Sequence, residues 1–362
     1  MVATACRIGI IGAGTSGVYL ASLLSRQGFE VTLFEKAPHP RTEGCGILLV
    51  RAGMEALQQG NPQLCQQMIN AGSPVQRFEF RNLRGGLINA ENVTYEENEL
   101  PGLLIHRTAI LSALLEQLPP GYLHCNAELA SVSQTEDKVM AYFSDGSRWE
   151  GDLLVGADGI GSKVRQFVVS GVDLCYLGDL VWRGVVSDSS FCPPGHFIVY
   201  VRGRGIYANF FHLGHGLTHW GFFVETELEE AEIGVLRPQH PDIPPLELAK
   251  LPEDARAVIA ATPAEQITAR YSYDIDPLPH LYQGRIVLIG DAGHAKSPTR
   301  ARGMTAGFED ALCLARYLGE SVDIGTALQQ FEAERLPIVH EYQRTSRQQS
   351  QRIGRRHHKS AA

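Results

Sequence analysis

With 362 residues, 20% of them charged, and a formal net charge of −8, the chain has the composition of a globular protein with a sizeable core. Its basic residues are scattered, which argues against a nucleic-acid partner, and no apolar run is long enough for a membrane span. The seven cysteines are odd in number and form no C-x-x-C pair, and the N-terminus enters a glycine-broken strand instead of a signal-peptide core, so a reduced, cytoplasmic protein is expected. None of the 13 histidines shows H-E-x-x-H spacing, and no metal site is expected.

Residues 7–36 read as one nucleotide-binding unit. A β-branched run at 7–11 suits a buried strand, Gly12, Gly14 and Gly17 spell G-x-G-x-x-G around Thr15 and Ser16, and residues 18–26 have helical periodicity. A second strand at 30–34 ends in Glu35 and Lys36. The glycines allow a tight turn and close approach of backbone to a pyrophosphate, and the helix start offers unpaired N–H groups to that anion. Glu35 can accept hydrogen bonds from the ribose hydroxyls of an adenosine, so a dinucleotide is the expected ligand.

Residues 44–50 form a glycine-led apolar segment containing Gly46, and a helix starts at 53–57. Residues 73–90 alternate as a hairpin turning at Arg84-Gly85-Gly86, and 104–118 read as a strand end, then Arg107, then an amphipathic helix stopped by Pro119-Pro120. Strands cross a turn at Glu136-Asp137 within 122–143. Residues 152–165 repeat the order of the opening, strand, Gly-rich turn and helix start, with Asp158 in the turn.

From 171 to about 273 the character becomes β-rich, with candidate strands at 181–186, 196–201, 205–212 and 218–225 and a short helix near 255–261. This stretch reads as a separate substrate-binding lobe, and His212, His215 and His219 read as part of a glycine-rich loop between its strands. A third buried strand at 285–289 leads into GDAGHAKSPTRARGM. An amphipathic segment from 327 to about 351 closes the chain before a basic tail.

Three signals in this order, G-x-G-x-x-G, GADGIGSKVR and GDAGHAKSP, with Trp182-Arg183-Gly184 and Tyr282-Gln283-Gly284-Arg285 between them, resemble the single-component FAD-dependent aromatic monooxygenases. The likeness is to the para-hydroxybenzoate hydroxylase class, in its salicylate-hydroxylase-like branch, and covers nearly the entire chain. It implies an α/β fold: a Rossmann-type FAD-binding domain over 1–72, 100–170 and 274–352, a β-rich substrate-binding lobe over 73–99 and 171–273, a C-terminal helix, and a tail at 353–362.

FAD is the implied cofactor, held by Gly12, Gly14, Thr15, Ser16, Gly17, Glu35, Lys36, Gly46, Arg107, Asp158, Gly290, Asp291, Pro298, Gly303 and Met304. Within that set, Asp291 is implied to take a hydrogen bond from the ribityl chain, and Arg107 to reach the phosphate or ribityl region. Pro298, Gly303 and Met304 would put N–H groups and a helix dipole against the isoalloxazine. Asp158 is implied to organise the pyrophosphate and the passing nicotinamide nucleotide. Where the family usually has glycine-glutamine-glycine, this chain has Ala301-Arg302-Gly303.

No second G-x-G-x-x-G unit is present, so NAD(P)H is implied as a transient co-substrate beside O2. The family reaction hydroxylates a small aromatic or other electron-rich molecule through a C4a-hydroperoxyflavin. Arg183, Tyr200 and Arg302 are the expected catalytic residues, and Arg183, Arg202, Arg204, Arg300 and Arg302 together suggest an anionic or hydrogen-bond-accepting substrate. Alternation marks Trp182, Tyr200, Arg202, Asn209 and Phe211 as wall candidates without saying which face is inward. A monomer or homodimer is expected. The alternatives are a flavin-dependent reductase, cyclase or halogenase of the same fold, although no tryptophan-x-tryptophan-x-isoleucine-proline motif is present, or a non-catalytic nucleotide-binding protein.

Overall fold

Short β-branched runs early and late in the chain, RIGII at 7–11 and IVL at 286–288, are buried on both faces, as a parallel sheet covered by helices requires. The computed structural model describes residues 6–40, 44–187, 190–203, 205–229, 232–239 and 241–352, so the basic tail and Arg204 lie outside the described residues. In chain order the first elements are β1 (Arg7–Ile11), α1 (Thr15–Arg26), β2 (Glu30–Phe34), β3 (Gly46–Leu49), α2 (Arg51–Gly60), α3 (Pro62–Ala71), β4 (Ser73–Pro74), β5 (Arg77–Asn82) and β6 (Leu87–Asn92). There follow β7 (Leu103–His106), α4 (Arg107–Leu115), β8 (Leu123–His124), β9 (Leu129–Gln134), β10 (Val139–Phe143), β11 (Arg148–Gly151) and β12 (Leu153–Gly156). The middle holds β13 (Leu174–Val186), β14 (His196–Arg202), β15 (Gly205–Gly214), β16 (Leu217–Glu225), α5 (Pro245–Leu248), α6 (Glu253–Ala260) and β17 (Thr268–Ile275). The chain ends with β18 (Tyr282–Gln283), β19 (Ile286–Leu288), α7 (Asp291–His294), α8 (Gly303–Glu320) and α9 (Ile324–Arg352).

A six-stranded sheet runs in the order β18-β19-β12-β1-β2-β8, with β1 parallel to both β2 and β12. Helices α1 and α8 cross on it, and the rings of Tyr19 and Phe308 meet edge to face at 5.2 Å. A seven-stranded sheet, β17-β13-β16-β15-β14-β5-β6, gathers the middle of the chain and takes in the hairpin at 77–92. The small sheet β3-β7-β4 lies between the two, because β7 packs on β15 and β3 on β16.

The two faces of the seven-stranded sheet differ. One carries Trp182, Tyr200, Phe210, Trp220 and Phe222 and is covered by Ala255, Val258 and Ile259 of α6. Trp220 donates its indole N–H to Thr262 Oγ1 at 2.7 Å, so that side is sealed. The other face carries Val185, Phe197, Phe211 and Leu213 and turns toward Leu104 of β7 and the parallel-sheet domain.

Three departures from the sequence reading have physical causes. After β12 the chain makes only a single 3-10 turn at Val164–Phe167, because Asp158 caps that turn and the chain then leaves for β13. An unforeseen helix, α3, follows Asn61, whose side chain accepts from the Leu64 N–H, with Pro62 at its first position. The lobe also has a fifth long strand, β17, and two of its histidines stand within strands, His212 in β15 and His219 in β16, leaving only His215 in the turn between them.

Candidate functional site

The three glycines of the first turn have three different surroundings. Gly12 has φ of 108°, and a Cβ there would stand 2.5 Å from the Ala157 carbonyl oxygen. A Cβ on Gly17 would stand 2.1 Å from the Gly12 carbonyl oxygen, so this residue allows the helix to pack on the turn. Gly14 is in extended backbone, φ −78° and ψ 176°, and a Cβ on it would meet no protein atom within 4 Å. Its open side is therefore the side from which a ligand can approach the backbone.

Helix α1 begins there with no side-chain cap and no acidic residue in its first turn, leaving its first N–H groups available to an anion. Glu35, at the tip of β2, accepts from the Ala13 N–H at 3.1 Å with Oε2 and from the Ala37 N–H at 2.9 Å with Oε1. The acid thus fixes the turn, and a carboxylate has lone pairs left for further donors. Lys36 beside it is exposed.

The middle and late motifs are tied to each other by Arg165. This buried guanidinium donates to the carbonyls of Ile160 and Ala292, both at 2.7 Å, and of Asp291 at 3.1 Å. Burial lowers its pKa, while Asp158 and Asp291 act in the opposite direction. Asp158 accepts from the Ser162 hydroxyl at 2.5 Å, the Lys163 N–H at 2.7 Å and the Val164 N–H at 3.2 Å, so every bond its carboxylate makes lies in its own turn.

Gly290 has φ of 59° and precedes Asp291, which is exposed and whose Oδ1 would stand 4.0 Å from a Cβ on Gly303 at the start of α8. Gly159, Gly161 and Gly303 face open space or nearly so, as Gly14 does. Pro298 opens a single 3-10 turn before α8, and Ala301 takes φ of 52°, a conformation that favours glycine. Met304 packs against the main core.

Behind this loop lies a buried polar network that sequence reasoning missed. Asp310 of α8 is fully buried and accepts from the Gly290 N–H at 2.9 Å, from Arg335 Nε at 2.8 Å and from His294 Nε2 at 2.5 Å. Lys296 Nζ lies 2.8 Å from His294 Nδ1, which must accept, so this histidine is neutral with its proton on Nε2. Its pKa is lowered by burial, against the pull of Asp310, and Lys296 is likewise shifted down by burial. Asp310 remains well below the usual carboxylate range: burial opposes ionisation, but His294 and Arg335 outweigh it.

On the lobe, Arg183, Gly221 and Asn209 stand in one register row across β13, β16 and β15, with Val199 of β14 next to them. The neighbouring row is an aromatic ladder in which Phe78, Phe197 and Phe211 lead to His219, with centroid spacings of 5.6, 4.8 and 4.4 Å. His219 Nδ1 accepts from the Gly46 N–H at 3.0 Å, and a Cβ on Gly46 would lie 2.5 Å from His219 Cβ, so Gly46 is where the lobe closes on the parallel-sheet domain. Burial, with Arg183 and His106 nearby, holds the His219 imidazole well below its ordinary pKa.

The same face is bordered, through Val185 and Thr268, by a cavity of about 550 Å³ that Gly44, His106 and Arg237 also line. Arg183 is half-buried and has no side-chain partner among the described residues.

The remaining expected residues are dispersed. Tyr200 is fully buried on the opposite face from Arg183, packed edge to face on Phe210 at 5.8 Å, because its register row is that of Trp182. Arg302 lies over the Tyr342 ring of α9, its guanidinium carbon 5.2 Å from the centroid. Arg107 is exposed at the start of α4 with its backbone N–H on the Cys45 carbonyl at 3.1 Å, Arg202 pairs with Glu247, and Arg300 is exposed. No helix among the described residues is long and apolar enough to cross a membrane.

Comparison with known proteins gives one answer. A family model described as FAD binding domain matches residues 5–192 and 257–346. A 3-amino-4-hydroxybenzoate 2-monooxygenase of Streptomyces platensis is 30% identical over 360 residues, covering 94% of this chain and 87% of its own. A salicylate hydroxylase of Pseudomonas putida is 31% identical, covering 90% of this chain and 80% of its own. The fold matches that of Klebsiella pneumoniae HpxO complexed with FAD and uric acid, with a TM-score of 0.86 at 23% identity over 95% of this chain and 88% of that one.

Proposed function

The chain belongs to the FAD-binding family of FAD-dependent aromatic monooxygenases, and from that premise we propose that it hydroxylates a small aromatic acid held on the lobe by Arg183. The residues present fit FAD. The open side of Gly14 is a cradle that a Cβ would fill, and the uncapped start of α1 supplies N–H donors of the kind a pyrophosphate needs. Glu35 would hold the adenosine ribose, Asp291 the ribityl chain, and the first turn of α8 at Gly303 and Met304 the pyrimidine edge. Gly12, Thr15, Ser16, Gly17, Gly290 and Pro298 would shape the walls between them, the exposed Arg107 and Lys36 would reach the phosphate and the adenosine, and Asp158 holds the middle turn in place.

FAD, when bound, supplies the redox chemistry: it takes electrons from NAD(P)H and activates dioxygen for transfer of one oxygen atom to the substrate. The chain supplies position, charge and dryness. The aromatic ladder and Val199 keep water from the lobe face. Neutral His219 accepts from Gly46 and so sets the distance between that face and the parallel-sheet domain.

The observation that carries the substrate reading is Arg183, a half-buried residue with no side-chain partner among the described residues, on an aromatic-lined face. Such a group pairs with a carboxylate or phenolate in fixed fork geometry. The test is steady-state kinetics of Arg183→Leu with salicylate and 4-hydroxybenzoate. The reading expects KM to rise about thirtyfold, roughly 2 kcal/mol, with FAD content retained. A loss confined to affinity for the nicotinamide nucleotide would assign Arg183 to the reductant and remove the argument for an anionic substrate.

A further inference from the structure

The segment from Asp291 to Gly303, which leads from the late strand into α8, carries three basic side chains besides His294: Lys296, Arg300 and Arg302. Arg300 is exposed and Arg302 lies over the Tyr342 ring, whereas Lys296 is buried. Its Nζ donates to His294 Nδ1 at 2.8 Å, and that neutral ring is its one bonded partner among the described residues. An ammonium has three N–H donors and a full charge, and burying one without a bonded anion is costly unless the field around it is negative.

The field there is negative. Burial itself favours the neutral amine, but Asp291, Asp310 and Glu309 all favour the ammonium, with Arg335 against them. Arg335 is bonded to both Asp310 and Glu309, so this cluster holds two carboxylates against one guanidinium, and a protonated Lys296 makes it neutral. Asp291 is the carboxylate that the FAD reading puts against the ribityl chain, so Lys296 and the cofactor site share one field. His294 also passes the contact on, through Asp310 Oδ2 at 2.5 Å, to the Gly290 N–H at 2.9 Å, the peptide just before Asp291. A buried charge in this place is weakly screened by water and salt, unlike that of the exposed Arg300.

We infer that Lys296 is a buried counter-charge for the reduced cofactor, one that raises the flavin's reduction potential. Hydride transfer from NAD(P)H adds two electrons and one proton to FAD, which leaves it one unit more negative and the nicotinamide oxidised. A fixed cation nearby favours that state over the oxidised one, as preorganised charge does wherever negative charge develops. The inference rests on FAD binding and not on the aromatic acid, so its test needs no substrate. The bland alternative is steric: donation to Nδ1 fixes the His294 tautomer and, through Asp310, the Gly290 turn. Charge and bond are separable, because a glutamine side chain can donate a hydrogen bond but carries no charge.

The experiment measures the flavin midpoint potential of the FAD-loaded enzyme against a reference dye, in wild type, Lys296→Met and Lys296→Gln. Both variants are expected to shift the equilibrium toward oxidised flavin by more than about tenfold, which for a two-electron couple is about 30 mV. A wild-type potential in Lys296→Met would overturn the inference. Its restoration in Lys296→Gln would overturn it too, by showing that only the bond to His294 matters. Where Lys296→Met fails to fold or to retain FAD, Lys296→Gln decides alone by the same shift. Loss of FAD from both variants would make Lys296 a structural part of the late turn, and the inference would fall.

Discussion

Ser16 and Gly307 approach so closely that a Cβ on Gly307 would stand 2.0 Å from the serine hydroxyl oxygen. The same hydroxyl lies 2.8 Å from the Cβ position of Gly290, so one small side chain is the meeting point of the first turn, the late turn and α8. That contact brings the starts of α1 and α8 to one site, which is what a ligand with a pyrophosphate at one end and a flavin ring at the other requires.

The contact yields a paired prediction from two glycines a short distance apart. Gly307→Ala must push α1 and α8 apart and should lower stability by about 1 to 3 kcal/mol, as overpacking does, along with FAD affinity. Gly14→Val leaves the protein packing untouched, because its Cβ meets nothing, and should keep the melting temperature of the apoprotein while FAD affinity falls by more than about tenfold. Apoprotein melting curves and FAD titration check both variants. Unaltered FAD affinity in Gly14→Val would mean that the open side of the turn is not the pyrophosphate site.

Arg335 is buried and joins Glu309 and Asp310 at 2.8 Å each. Its removal leaves Asp310 buried and ionised, with hydrogen bonds from His294 and the Gly290 N–H but without its bonded cation. Arg335→Met should therefore destabilise the protein by about 3 to 5 kcal/mol in urea denaturation. Asp310→Asn should cost less, because it strands no carboxylate and leaves Arg335 paired with Glu309. A loss under about 1 kcal/mol for Arg335→Met would show that the network is incidental to the fold.

His219 and His294 are both held below the ordinary histidine pKa of 6.5 by burial. Below that value the unfolded chain binds protons at these positions and the folded chain does not. Their contribution to stability is therefore complete above about pH 6.5 and is lost as pH falls. Asp310, whose pKa is depressed from 3.8, contributes above that value and loses its part only in stronger acid. Thermal melting between about pH 7.5 and about pH 5.5 should show a decline that belongs to the histidines. His219→Gln keeps an acceptor for the Gly46 N–H without a titrating ring, and its decline should be shallower. An identical decline in the variant would assign the pH dependence elsewhere.

How much of this could be read beforehand differs by element. The turns at Gly12, Asp158 and Gly290 were legible because glycine spacing and strand ends are local properties of sequence. The lobe's strands were legible as strands but not as faces, since alternation divides residues into two sets without marking the inner one. Register supplies that sign: it separates Tyr200 from Arg183 and puts Asn209 with Arg183. The Asp310 network was not legible, because His294 and Arg335 meet Asp310 only once α8 and α9 have packed. Asn61 before Pro62 was a readable start for α3 that sequence reading passed over.

The central claim is FAD-supported hydroxylation of an aromatic acid, and isotope transfer from dioxygen tests it most directly. Purified protein is incubated with NAD(P)H, 18O-labelled dioxygen and a mixture of hydroxy- and aminobenzoates, and the products are analysed by mass spectrometry. The account predicts bound FAD in equal amount to protein and a hydroxylated product carrying one labelled oxygen atom. Absence of FAD, or NAD(P)H oxidation that no aromatic acid accelerates and that leaves every aromatic unlabelled, would contradict it.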